Sequence, residues 1–280
     1  MRDGAVPSDT IGEGVYRRLR QDIIFGRLAP GQKLKLEEMR VRYGASVSTL
    51  REILNRLCSE GFVLAEGQRG FEVEPLSAEG FREVAAMRLL LECHALEASL
   101  SAGDLEWEGS VVAAHHKLAS LESRMAGGDR SAAELWKRYD REFHHALVSA
   151  CASEVLLETH ASVYDKYLRY QMVGDIYRGE IAAREHRELL TCALKRDFAG
   201  AREILVRHVE DCVEAALTRS DTAWLEPPSR RDRPRASAST AGRASQRIQG
   251  MGARARPRAP SAPVGLRKSH SPRRRTKDAE

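Results

Sequence analysis

The stretch YGASVSTLREILNRL, Tyr43–Leu57, decides the fold of the N-terminal region. Leu50, Ile53, Leu54 and Leu57 recur at i, i+3, i+4 and i+7, which gives an amphipathic helix one buried face. Ser48, Arg51 and Asn55 then face the other way. Ser46 is placed to cap the helix, and Gly44 and Gly61 bracket it as terminators. Such a helix, offering hydroxyls in its first turn and an arginine one turn on, suits a major groove, where N-terminal residues meet base edges. Ser46, Ser48 and Thr49 can bond phosphates through hydroxyls and free backbone N–H groups, and Arg51 can fork onto guanine O6 and N7.

The flanks agree with that reading. Thr10 to Gly26 carries an apolar stripe of Val15, Leu19, Ile23 and Ile24 and reads as a helix. LAPGQKL turns at Pro30-Gly31. Leu36 to Tyr43 is a second short helix. FVLAEGQRGFEV follows, with β-prone runs Phe62–Ala65 and Phe71–Val73 around a glycine turn, which is a hairpin. Gln68, Arg69 and Gly70 sit at its tip, suited to backbone or minor-groove contact. Three helices and a hairpin within residues 8–75 make a winged helix-turn-helix plan.

Residues 77–220 are almost wholly helical in pattern, with segments near 78–102, 105–126, 132–151, 153–172, 181–196 and 199–219. Ser77, Asp104, Ser131 and Ser153 are candidate N-caps. The expectation is a bundle of about six helices. From Pro227 the chain turns to Arg, Pro, Ala, Ser and Gly, with too little apolar surface to offset the entropy of ordering; a disordered tail is expected. The net charge of +5 over 280 residues averages unlike parts. The tail holds 15 Lys and Arg against 3 Asp and Glu, while residues 1–226 hold 30 against 37. The fold class is therefore mainly α.

No apolar run approaches membrane-spanning length, and no apolar signal core opens the chain, so a cytoplasmic location without membrane contact is expected. Cys58, Cys93, Cys151, Cys192 and Cys212 are scattered, with no CxxC pair, and read as reduced thiols.

WKRYDREFHHAL places Asp140 and His144 on one helix face with Trp136, Phe143 and Leu147. His186 keeps company with Leu189, Leu190 and Ala193, and His208 with Ile204, Leu205 and Cys212. Three histidines and an aspartate thus face the interior from three helices. Buried polar groups need partners. Neutral imidazoles with one carboxylate suit a divalent metal such as zinc, nickel or manganese; the alternative is a set of hydrogen-bonded core histidines. His115 and His160 also lie near apolar stripes, whereas His116 and His145 read as surface residues. Arg88 shares a face with Phe81, Val84, Leu91 and Ala95. It either pairs within the helix with Glu92 or grips an anionic ligand bidentately.

IIFGRLAPGQKL, SVSTLREILNRLCSEGFV and GQRGFEV resemble the DNA-binding domain of GntR-type bacterial transcription regulators. The resemblance covers about residues 10–75. It implies that Ser46, Ser48, Thr49, Arg51, Gln68, Arg69 and Gly70 touch operator DNA. Many members carry an arginine directly after the first serine; here Val47 stands there, to pack on a thymine methyl or to be buried. MRLLLECHAL, DREFHHAL, EHRELLTCAL and ILVRHVEDCV resemble the all-helical FCD effector domain of the FadR subfamily. That resemblance implies a homodimer, a divalent metal (zinc, with nickel or manganese as alternatives) on Asp140, His144, His186 and His208, and Arg88 holding an effector carboxylate. SVSTLRE, AEGQRGFEV and SLSAGDLEWEGSVVAAHHKL are similar to the carbon-starvation-induced regulator group, which implies a small dicarboxylate such as glutarate. The expected function is a non-enzymatic transcription regulator, repression favoured, on a pseudo-palindromic operator. Two rivals remain: a metallohydrolase using the Asp/His cluster, and a non-specific nucleic-acid binder acting through the basic tail.

Overall fold

The computed structural model describes residues 11–66, 70–218 and 225. They belong to one compact unit, Met1–Pro234. Gln68, Arg69 and the tail from Pro227 lie outside the described residues, so the expectations about them stand as sequence readings.

The N-terminal part runs α1 (Ile11–Ile24), β1 (Lys33–Leu34), α2 (Leu36–Tyr43), α3 (Val47–Ser59), β2 (Val63–Ala65) and β3 (Phe71–Val73). Gly44 ends α2 at φ 66°, a left-handed conformation that a glycine adopts without strain. The turn delivers Ser46, whose hydroxyl caps α3 by accepting from the Thr49 amide. Leu50, Ile53, Leu54 and Leu57 are buried, as the stripe requires. β2 and β3 pair antiparallel with Val63 opposite Val73. A third strand that the sequence reading lacked, β1, pairs on the other edge of β3, with Lys33 opposite Glu72. The wing is therefore a three-stranded sheet.

The C-terminal part is α4 (Ala78–Ala102), α5 (Leu105–Ala126), α6 (Ala133–Val148), α7 (Glu154–Val173), α8 (Glu180–Lys195) and α9 (Phe198–Leu217). Ser77, Asp104 and Ser153 cap α4, α5 and α7. Ser131 does not cap α6. It lies in a 3₁₀ turn, Arg130–Ala132, where its hydroxyl donates to Asp129, and α6 starts without a side-chain cap. That helix also ends at Val148, short of the expected Cys151.

Two apolar cores result, one per part. α7 serves both. Its Tyr164 and Leu168 are buried in the core of the winged helix, while Tyr167 and Tyr170 belong to the bundle. Polar contacts reinforce the junction. Arg20 of α1 bonds Asp165 of α7 at 2.7 Å, Arg141 of α6 holds the other oxygen of Asp165 at 2.6 Å, and Arg169 donates to the Glu74 carbonyl. No helix among the described residues is long and apolar enough to cross a membrane.

Candidate functional site

α3 presents its first turn outward. Ser46 and Ser48 are exposed, Val47 and Thr49 half-buried, and Arg51 exposed. The three hydroxyls form a small network, with Ser46 Oγ 2.8 Å from Ser48 Oγ and 2.9 Å from Thr49 Oγ1. Ser46 is thus largely engaged in capping, which leaves Ser48 and Arg51 as the outward polar groups. Three other exposed arginines of this part have acidic partners: Arg40 with Glu37, Arg42 with Asp22, Arg56 with Glu13. Arg51 enters no ion pair among the described residues. Gly70, at φ 108°, gives the wing its turn back into β3.

In the bundle, Asp140, His144, His186 and His208 come together from α6, α8 and α9. Each offers one ligand atom, and the four atoms lie within 4.8 Å of one another. The imidazole centroids are 4.8 Å apart for His186–His208, 5.3 Å for His144–His208 and 5.7 Å for His144–His186. All four residues are buried. His115 sits edge-on to Phe143 outside this cluster, and His116 and His145 are exposed, as expected.

Each imidazole is backed by a glutamate. His144 Nδ1 lies 2.5 Å from Glu92 Oε1, His186 Nδ1 2.6 Å from Glu122 Oε1, and His208 Nδ1 2.8 Å from Glu185 Oε2. An ionised carboxylate only accepts, so each Nδ1 carries the hydrogen, and in the neutral ring the Nε2 lone pair is left to point elsewhere. Carboxylate-backed imidazoles of this kind are the usual ligands of bound metals, because the second carboxylate fixes tautomer and ring orientation. The sequence reading missed Glu122 and Glu185.

The inward atoms have no partner. His144 Nε2, His186 Nε2 and Asp140 Oδ1 are buried without a hydrogen bond. Asp140 Oδ1 approaches His186 Nε2 to 3.2 Å but not in hydrogen-bonding geometry. A cation at their meeting point would satisfy all three at once, so the residues present fit a divalent metal. Asp140 Oδ2, its other oxygen, is held from outside by Tyr164 Oη at 3.0 Å and Lys137 Nζ at 3.3 Å.

Electrostatics follow from burial and these pairings. Burial alone would raise the Glu92 pKa, but Arg88 and His144 hold it well below the usual carboxylate range. Burial pulls His208 down to about 3 against the pull of Glu185. Burial also lowers His144. His186 differs: its close approach to the Asp140 carboxylate and its hydrogen bond to Glu122 outweigh burial and lift it to about 9. A metal ion must therefore displace a proton there, since both compete for Nε2. Glu185 sits near 2, because His208 and Arg178 outweigh its burial.

Arg88 resolves both of its sequence-level readings in part. It pairs with Glu92 within α4, Nε to Oε2 at 2.7 Å, and stacks over the rings of Tyr164 and Tyr167. Its Nη2 lies 3.1 Å from His144 Nδ1, on the side of the ring away from the inward Nε2. Its Nη1 is buried without a partner. A cavity of about 10 Å³ opens beside the cluster, lined by Trp136, Lys137, Asp140, Gln171, His186 and His208 among others, and not by Arg88. That is room for about one water or one ligand oxygen.

A winged helix joined to a bundle that buries a metal-type cluster defines a ligand-responsive DNA-binding regulator. Comparison with known proteins agrees. Residues 11–73 match the bacterial regulatory proteins of the gntR family, and residues 83–211 match the FCD domain. The uncharacterized HTH-type transcriptional regulator BphR of Paraburkholderia xenovorans (strain LB400) is 36% identical over 203 residues, covering 72% of this chain and 83% of that protein. The HTH-type transcriptional repressor GlaR of Escherichia coli (strain K12) is 29% identical over 200 residues, covering 69% of this chain and 90% of that protein. Among solved structures, E. coli McbR/YncC shares the fold with a TM-score of 0.64 at 19% identity, covering 75% of this chain and 98% of that one. The chain belongs to the GntR family, in the group whose effector domain is of the FCD type. It is a DNA-binding transcription regulator of a non-enzymatic family, which removes the metallohydrolase reading.

Proposed function

We propose that this regulator is a homodimeric repressor controlled by a small carboxylate bound beside a metal ion. The observation that carries the metal is the convergence of three unpartnered buried atoms, His144 Nε2, His186 Nε2 and Asp140 Oδ1, with His208 completing the set. Zinc fits this nitrogen-rich donor set best, with nickel and manganese as alternatives. The ion would supply an anchoring point for a carboxylate oxygen. Repression is favoured because relatives of this chain are named repressors, GlaR and RspR of E. coli. A dicarboxylate effector of the glutarate kind remains the class that the carbon-starvation-induced regulator resemblance supports.

In this reading Ser46, Ser48, Thr49 and Arg51 face operator DNA from α3, and Gln68, Arg69 and Gly70 from the wing. Half-exposed Val47 is available to a thymine methyl. Arg88 keeps Glu92 in place, and through it His144, and has Nη1 left for an anion. The domain bounds are 8–75, 77–220 and 227–280. A dimer reads a pseudo-palindrome because its two winged helices fix the half-site spacing. α7 links the two parts: Tyr164 bonds the metal-type ligand Asp140, and the next residue, Asp165, holds Arg20 of α1.

The test is elemental analysis of protein purified without chelators. About one equivalent of metal per chain is expected in the wild type, and a large loss in His186→Ala together with a lower Tm. A metal-free wild type that also takes up no zinc on titration would refute the site.

A further inference from the structure

Lys137 is the one lysine buried among the described residues, and its ammonium has a single acidic contact, 3.3 Å from Asp140 Oδ2. A buried ammonium with three donors and one long partner is under-satisfied. It lines the cavity beside the cluster, with Trp136, whose ring lies 4.1 Å below the ammonium and whose Nε1 has no partner. Tyr164 Oη also holds that oxygen, at the shorter distance of 3.0 Å.

The other cations are engaged or lie outside the cavity wall. Arg178 gives its N–H groups to both oxygens of Glu185, to the His208 carbonyl and to Asp211. Arg88 lies behind His144, outside the cavity wall.

We propose that Lys137 is the residue that recognises the effector: its ammonium turns from Asp140 to the carboxylate oxygen that the metal does not hold. This rests on the metal-and-carboxylate reading above and deepens it by assigning the recognising side chain. Asp140 keeps its Tyr164 hydrogen bond throughout.

The experiment uses the full chain loaded with cobalt(II), whose visible absorption responds to a change of ligand. Acetate serves as the probe, with wild type, Lys137→Gln and Lys137→Arg compared. The wild-type spectrum is expected to shift saturably with acetate. Lys137→Gln, once loaded with cobalt, is expected to require at least tenfold more acetate, and Lys137→Arg to recover most of the loss. Equal acetate titrations of wild type and Lys137→Gln would overturn the assignment of Lys137. A cobalt-loaded wild type that ignores acetate would instead sink the underlying reading. Should the Gln variant not fold, zinc-loaded wild type labelled at lysine Nζ decides: acetate must move the one solvent-protected ammonium resonance, and an unmoved resonance overturns the proposal.

Discussion

Tyr164→Phe tests whether the metal-type cluster and the winged helix are mechanically joined. The substitution removes one oxygen and keeps the ring. Tyr164 is 1% exposed and its ring packs in the winged-helix core, so Phe fills the same space. The cation–π contact with Arg88, 4.3 Å from the ring centroid, also survives. What goes is the hydrogen bond to Asp140 Oδ2 at 3.0 Å. A hydrogen bond to a charged acceptor contributes about 1.5–3 kcal/mol. Lys137, now 3.3 Å from that oxygen, can close in and recover part of it, which puts the expected cost near the lower limit, about 1.5 kcal/mol. For a folded region of this size that is a fall in Tm of roughly 3–6 °C. The second readout is functional. Operator affinity is measured with and without metal plus carboxylate, since couplings of this type are usually about 5- to 150-fold. Tyr164→Phe should bind operator as wild type does and lose most of that response. A Tm within about 1 °C of wild type, together with an undiminished response, would mean the hydroxyl only satisfies itself and α7 transmits nothing through it.

Three further outcomes follow from particular residues. Arg51→Ala should leave the fold intact and cost about 1–3 kcal/mol of discrimination at one base pair; unchanged discrimination in a gel-shift series over operator variants would remove Arg51 from base readout. Asp22 is held below the usual carboxylate range because hydrogen bonds from Tyr43 and Arg27 outweigh its partial burial. Its folded pKa is depressed, so its stabilisation is present above the unfolded pKa, near 4, and lost as pH falls below it. Asp22→Asn should therefore destabilise by about 1 kcal/mol at pH 7 and by progressively less as pH falls from about 4 through the depressed folded pKa, in urea unfolding at a series of pH values. Removing residues 227–280 should preserve operator specificity while flattening the dependence of binding on salt, because the tail's 15 basic residues offer phosphate attraction without base contact; loss of specific binding would return the tail to the centre of recognition.

Local signals made much of this architecture legible in the sequence. Ser77, Asp104 and Ser153 are caps because a side-chain oxygen meets the amide three residues on, a relation that lies wholly within the motif. The same logic failed at Ser131, where the competing acceptor Asp129 took the hydroxyl. β1 was invisible for the opposite reason: two residues carry no period, and only β3, far along the chain, makes them a strand. The clustering of Asp140, His144, His186 and His208 was legible because Asp140 and His144 share a face and because His186 and His208 sit on apolar stripes. Their backing was not. Glu122 is 64 residues from His186 and Glu185 is 23 from His208, and no periodicity connects such pairs. Lys137 lay within reach of the reading, three residues before Asp140 on the same helix, yet a lysine in a charged run looks solvated until packing buries it.

The junction explains how a buried site can speak to a surface helix. Consecutive helical residues project about 100° apart, so Tyr164 and Asp165 reach different neighbours from one point of α7. Tyr164 reaches inward to Asp140, and Asp165 reaches out to Arg20 and Arg141. In the reading proposed above, a change in how tightly Asp140 is held would bear on Tyr164, and the helical turn would carry that displacement to the ion pair that seats α1. Close packing makes such a shift discrete, because the winged-helix core around Tyr164 and Leu168 has little slack to absorb it. The signal thus needs no long chain of intermediates. One turn of one helix touches both the metal-type ligand and the helix on which the DNA-reading unit rests.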